Sequence, residues 1–295
     1  GAGKVGYDRT GSKTRYRTAA ILKILRTLYR GTLPMTSDSL FYMKAGSTAM
    51  ADRKNILGVT FDDVTPDEAL ERVQELIKSR TPGYIVTPNA EFVYTACKDE
   101  RIRTLLNGAA LVVPDGIGVL YASKILGRGL RGRVPGVELG ERLAEICAQK
   151  DYTLYLLGAK PGVAEKAGKC LTLKYPKLRI VGTHDGYFKD DAPVVEELRK
   201  ASPDVIFVCL GFPRQERFMR EHLAQLPPAV MLGLGGSMDV YAGTVKRAPV
   251  FWQKLGLEWF YRLCCEPKRI KRMIKLPAFL FTAIGARLRH REDIV

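Results

Sequence analysis

Val205-Ile-Phe-Val-Cys-Leu-Gly-Phe-Pro-Arg-Gln-Glu216 decides how this chain folds. Val205–Leu210 is an unbroken apolar run of strand length, and Gly211 with Pro213 ends it. From Arg214 to Gln225 the pattern becomes that of an amphipathic helix. A strand without polar alternation is buried on both faces, as in a parallel sheet covered by helices on either side. The same unit recurs outward in both directions. Candidate strands are Ile56–Phe61, Tyr84–Thr87, Ala110–Val113, Thr153–Leu157, Arg179–Gly182 and Val230–Gly233. Helical stretches between them are Pro66–Ser79, Leu139–Lys150, Gly162–Tyr175 and Ala192–Lys200. This alternation predicts an α/β fold with a mostly parallel sheet and helices on both faces.

Ligands of such sheets bind in the loops beyond the carboxyl ends of the strands, so the residues that follow strands carry the functional reading. Thr87-Pro-Asn89 leaves one strand and precedes a helix, where Thr or Asn either caps the helix or orients a sugar. Asp115, in Val112-Val-Pro-Asp-Gly-Ile-Gly118, sits at a strand exit directly before a helix. It is either a helix cap or a general base, a role worth about 10²–10⁴-fold in rate. Gly116 beside it lets backbone approach a ligand closely. Gly211-Phe-Pro-Arg-Gln-Glu216 opens a helix whose N–H groups, with Arg214, suit a phosphate or sugar. Gly233-Leu-Gly-Gly-Ser-Met-Asp239, with Gly235, Gly236 and Asp239, is fit to cradle a diphosphate or ribose. Each alone could be a tight turn, but four at one sheet edge are harder to dismiss.

Other motifs fail. Gly116-Ile-Gly118 is followed three residues later by Tyr121, so the dinucleotide fingerprint is absent. Gly6-Tyr-Asp-Arg-Thr-Gly-Ser-Lys-Thr14 carries an extra residue for a P-loop and follows no strand. No D-x-D triplet occurs, and His184, His222 and His290 lie far apart, so no metal and no other cofactor are expected. Six cysteines form no C-x-x-C pair and several lie among apolar neighbours, which points to a reducing compartment.

Charge is distributed unevenly. Residues 1–50 hold nine Lys/Arg against two Asp, and residues 244–295 hold twelve Lys/Arg against four Asp/Glu. Of the 47 basic and 31 acidic residues this leaves 26 and 25 for residues 51–243. The chain therefore divides into a basic extension (1–50), partly linker or left over from expression, a near-neutral α/β core (51–243) and a basic helical appendage (244–295) for an anionic surface. Ala19–Arg30 forms a basic amphipathic helix in this reading, and Pro249–Cys265 and Pro267–Leu288 read as two basic, aromatic-rich helices. No apolar stretch reaches the ~20 residues that span a bilayer. The tail interleaves Lys268, Arg269, Lys271, Arg272 and Lys275 with Met273, Ile274, Leu276 and the Phe279–Phe281 patch, which suits docking on lipid. Residues 267–295 are expected to be removable without unfolding residues 51–243.

The motifs together, from about Asn55 to Leu276, resemble the bacterial WecG/TagA/CpsF glycosyltransferases of the N-acetylmannosaminyltransferase type. Thr87-Pro-Asn89, Pro114-Asp-Gly-Ile-Gly118, Asp185-Gly-Tyr-Phe188, Gly211-Phe-Pro-Arg-Gln-Glu216 and Gly235-Gly236 carry the resemblance. So does the tail, through Arg247-Ala-Pro249, Gly256-Leu-Glu-Trp259, Tyr261-Arg262 and Glu266-Pro-Lys-Arg-Ile-Lys-Arg272. The resemblance implies a Rossmann-like core and inverting, metal-independent sugar transfer. The donor would be a UDP-sugar and the acceptor an undecaprenyl-diphosphate-linked sugar at the cytoplasmic face of the inner membrane, for cell-surface polysaccharide. It implies that Asp115 is the base, that Thr87, Asn89 and Gln215 are sugar-site residues, and that Arg262 meets the diphosphate.

N-acetylmannosamine is the expected sugar, with glucose or N-acetylmannosaminuronic acid as alternative donors. A homo-oligomer is left open. A basic nucleic-acid-binding protein is the competing class, and the neutral core and apolar tail speak against it.

Overall fold

The computed structural model describes residues 52–249, 251–252, 258–265 and 275–292. The expected helix at Ala19–Arg30 and the basic cluster Lys268–Arg272 lie outside them. Six strands form one parallel sheet: β3 (Gly83–Val86), β4 (Leu111–Val112), β5 (Thr153–Gly158), β6 (Arg179–His184), β7 (Val205–Cys209) and β8 (Val230–Gly233). Their order is β4-β3-β8-β7-β5-β6, and every pairing is parallel. The four central strands are buried almost throughout, which is why their sequences read as apolar runs rather than alternating ones.

Successive side chains on these strands point to opposite faces and feed two separate cores. Ile85, Leu154, Leu156, Val205, Phe207, Val230 and Leu232 pack against α1 (Pro66–Lys78), α5 (Gly136–Lys150), α6 (Val163–Lys174) and α9 (Ser237–Tyr241). Tyr84, Val86, Tyr155, Leu157, Ile206, Val208 and Met231 face the other way. They meet α2 (Ala90–Ala96), α3 (Glu100–Asn107), α4 (Ile117–Ile125), α7 (Ala192–Ala201) and α8 (Arg214–His222). Cys147 and Cys209 behave as apolar core residues, burial pushing both thiols up to about 12.

Two expectations are corrected. Ile56–Phe61 is not one strand: β1 (Arg53–Ile56) and β2 (Val59–Asp62) form an antiparallel hairpin outside the main sheet. Leu57 and Gly58 both have positive φ, 53° and 91°, the pair of left-handed residues a two-residue hairpin turn needs. The Asn55 side chain accepts from the Gly58 N–H at 2.9 Å and holds the turn.

The second concerns the tail patch Phe279–Phe281. Of the described tail residues, α10 covers Glu258–Cys265 and α11 Lys275–Glu292. Phe279 and Ala283 of α11 are fully buried in the second core, with α2 and α4. Phe279 is therefore core, and the exposed apolar stripe of α11 is Phe281, Ile284 and Leu288. Packing on α2 and α4, with the Lys275–Glu91 ion pair, holds α11 in place.

Candidate active site

The chain leaves the neighbouring strands β3 and β8 on opposite faces of the sheet, β3 toward α2 and β8 toward α9. Loops that part in this way open a crevice at the carboxyl edge. A cavity of about 380 Å³ occupies that position. Thr87, Asn89, Asp115, Gly116, Gly211, Gln215, Gly235, Gly236 and Asp239 all line it. Four strand exits that are distant in sequence thus converge on one space.

Each position has a local cause. Thr87 is buried, and its hydroxyl donates to the Gly233 carbonyl at 3.4 Å, tying the β3 exit to that of β8. Asn89 caps α2, its side-chain oxygen accepting from Glu91 N–H and Phe92 N–H at 2.9 and 3.3 Å. Asp115 is set by its own N–H, which donates to the Pro88 carbonyl at 3.1 Å. Gly116 follows with φ of 124°, a backbone that an L side chain rarely adopts, and starts α4. Asp115 is therefore not the residue that caps α4. Gly235, at φ 54°, donates its N–H to the Gln215 side-chain oxygen at 3.0 Å.

The sequence assigns no site role to three further lining residues, Arg133, Glu258 and Leu276. Arg133 reaches the wall on the loop whose Val134 N–H bonds to the Pro114 carbonyl at 2.8 Å, beside Asp115. Its guanidinium lies 3.9 Å from the Glu258 carboxylate, contributed by α10. Leu276 of α11 closes the same side. It packs so tightly on α4 that a Cβ at Gly118 would lie 2.5 Å from Leu276 Cδ1. The Lys275–Glu91 ion pair at 2.9 Å joins α11 to α2 at this rim. Arg131-Gly-Arg133 is a visible basic loop signal, whereas Glu258 and Leu276 reach the site only through tertiary packing.

Arg214, expected at the ligand, is not on the cavity wall among the described residues. It donates to the carbonyls of Gly186 and Phe188 at 2.6 and 2.8 Å and stacks over the Phe188 ring. It clamps the Asp185-Gly-Tyr-Phe188 loop. The side chain of Arg262 lies outside the described residues, although its backbone belongs to α10. His222 bonds to Asp191 at 3.1 Å with Glu221 alongside, and none of the three lines the cavity.

What the arrangement offers is a carboxylate, an arginine, an amide and glycine-loop N–H groups around one sugar-sized space. Such a set can take up a proton from a hydroxyl and stabilise a departing anion.

Residues 54–293 match the model of the glycosyl transferase WecG/TagA/CpsF family. The chain is 37% identical over 208 residues to an N-acetylglucosaminyldiphosphoundecaprenol N-acetyl-beta-D-mannosaminyltransferase of Bacillus subtilis (strain 168), covering 70% of this chain and 81% of that one. It is 36% identical over 243 residues to the enzyme of the same name from Staphylococcus aureus (strain NCTC 8325 / PS 47), covering 82% and 94%. A glycosyl transferase built around these strand exits, the chain belongs to the WecG/TagA/CpsF family.

Proposed function

We propose that this enzyme transfers N-acetylmannosamine from its UDP-linked donor to N-acetylglucosamine carried on undecaprenyl diphosphate. The observation that carries the reading is the convergence of Thr87, Asn89, Asp115, Gln215, Gly235 and Gly236 on one cavity. The names of the relatives supply the sugar and the acceptor.

In this reading Asp115 takes the proton of the acceptor hydroxyl as its oxygen attacks the anomeric carbon of the donor. The bond from that carbon to the diphosphate breaks, UDP leaves with the electron pair, and a single displacement inverts the anomeric centre. The negative charge that develops on UDP is met by Arg133, by the loop N–H of Gly236, and by Arg262 of α10. Arginine suits this because its forked, permanently charged guanidinium matches phosphate oxygens. No metal is needed for that neutralisation.

The exposed stripe Phe281, Ile284 and Leu288, beside Arg287 and Arg289, is the surface we assign to the membrane that carries the acceptor. Among the described residues no helix is long and apolar enough to cross a membrane. A peripheral position at an anionic bilayer, such as the inner face of a bacterial membrane, accords with that stripe.

A donor panel tests the substrate: UDP-N-acetylmannosamine, UDP-N-acetylmannosaminuronic acid and UDP-glucose with synthetic lipid-diphosphate N-acetylglucosamine, read by product mass. The expected product gains one N-acetylhexosamine, and transfer from UDP-glucose alone would overturn the donor assignment.

A further inference from the structure

Glu216 is the third residue of α8 and is fully buried, yet it does not line the cavity. Its Oε1 accepts a hydrogen bond from Gln215 Nε2 at 2.8 Å, while Oε2 is buried with no hydrogen-bond partner among the described residues. The other end of the same Gln215 amide, Oε1, accepts from the Gly235 N–H at 3.0 Å. Gln215 itself is 2% exposed and forms part of the cavity wall.

The two neighbours of this amide have opposite polarity. Glu216 offers acceptors toward it, and Gly235 offers a donor. An amide between them has one satisfied orientation, since the flipped form would set its NH₂ against an N–H and its oxygen against a carboxylate oxygen. An acid kept in a dry helix face is costly, and burial raises its carboxyl to about 7. An apolar residue would fill the space without that cost, so the acceptor at this position has a task.

We propose that Glu216 is a positioning residue of the donor pocket: it locks the Gln215 amide, which in turn holds the Gly235 loop in the geometry that receives the nucleotide. This rests on the assignment of that loop to UDP. Glu216 touches no substrate. It acts through Gln215, whether ionised or protonated on Oε2, because Oε1 remains an acceptor in both forms.

The test is a double-mutant cycle on UDP affinity by calorimetry, using the full chain, with thermal melts to verify folding. Glu216→Met removes the acceptor and is expected to weaken UDP binding about three- to tenfold, the range of one net hydrogen bond. In a Gln215→Ala background the same change should add less than about twofold, because the link it acts through is gone. Glu216→Gln keeps an acceptor and should bind UDP within about twofold of wild type.

Additive effects in the cycle, or Glu216→Met binding UDP as wild type does, overturn the positioning role. If Glu216→Met fails to fold, Glu216→Gln decides alone, and a loss above about fivefold there overturns it. A wild-type protein that does not bind UDP would instead strike down the nucleotide assignment, and the two failures are therefore distinct.

Discussion

Replacing Glu216 by glutamine should change how the stability of this enzyme depends on pH. Burial raises the carboxyl from an ordinary value of 4.5 to about 7, with the Gln215 amide and a backbone N–H opposing part of the rise. Below pH 4.5 the group is protonated whether the chain is folded or unfolded, so it contributes nothing to the pH dependence. Between 4.5 and 7 the unfolded chain releases the proton while the folded one retains it, and stability falls as pH rises. Each pH unit across that window corresponds to about 1.4 kcal/mol, so the loss accumulates to about 3 kcal/mol by pH 8. For a domain of this size that is on the order of 6–12 °C in Tm.

Glu216→Gln keeps the shape and one acceptor but cannot ionise. Its absolute stability includes a new buried N–H donor that needs a partner, so the informative quantity is the difference between the two proteins across pH. Urea unfolding at several values from pH 4.5 to pH 8 should show the variant gaining about 3 kcal/mol on the wild type over that range. The gain should level off above pH 8. Parallel curves would refute the reasoning, because they would mean that Glu216 ionises at its ordinary pH through water that reaches it.

Three further outcomes are expected. Phe279→Ala removes a fully buried ring that joins α11 to α2 and α4, and should cost about 3–5 kcal/mol in urea unfolding; a loss below about 1 kcal/mol would mean that the tail is an independent appendage after all. Replacing Phe281, Ile284 and Leu288 together by serine changes only exposed or half-exposed side chains. It should leave the melt unchanged while lowering partition onto anionic vesicles at least about a hundredfold, since each such side chain contributes roughly 1.5–3 kcal/mol when buried; equal partition would move the membrane contact elsewhere. Transfer should continue in EDTA, because the chain lacks a D-x-D triplet and Arg133 lines the cavity; loss restored by Mg²⁺ or Mn²⁺ would contradict that.

The sheet is legible in the sequence because a strand buried on both faces writes itself as an apolar run. Val205–Leu210 and Thr153–Leu157 agree almost to the residue with β7 and β5. The site is legible for a related reason. Parallel strands put their exits on one edge, so Thr87, Asp115, Gly211 and Gly235 must lie near one another once the topology is known.

The departures share a different cause. Leu57-Gly58 turns back through left-handed backbone without the usual Asn-Gly pair, so the hairpin reads as one strand. Phe279 and Phe281 are identical in chemistry, and only the packing of α11 on α2 and α4 decides which is core. Arg214 has the look of an anion ligand at a helix start, yet two loop carbonyls claim its guanidinium. Glu216 is hidden by its charge. Its spacing from Met219 puts it on the buried stripe of α8, while polarity alone argues for solvent.

Asp115 carries the central claim. UDP release should be followed with UDP-N-acetylmannosamine and lipid-diphosphate N-acetylglucosamine, comparing the wild type with Asp115→Asn and measuring UDP affinity for both. Turnover is expected to fall at least about a hundredfold in the variant, the lower end of what a positioned base supplies, with UDP affinity within about twofold of wild type. Near-normal turnover by Asp115→Asn would contradict the assignment, and would leave the carboxylate at the β4 exit without a part in the chemistry.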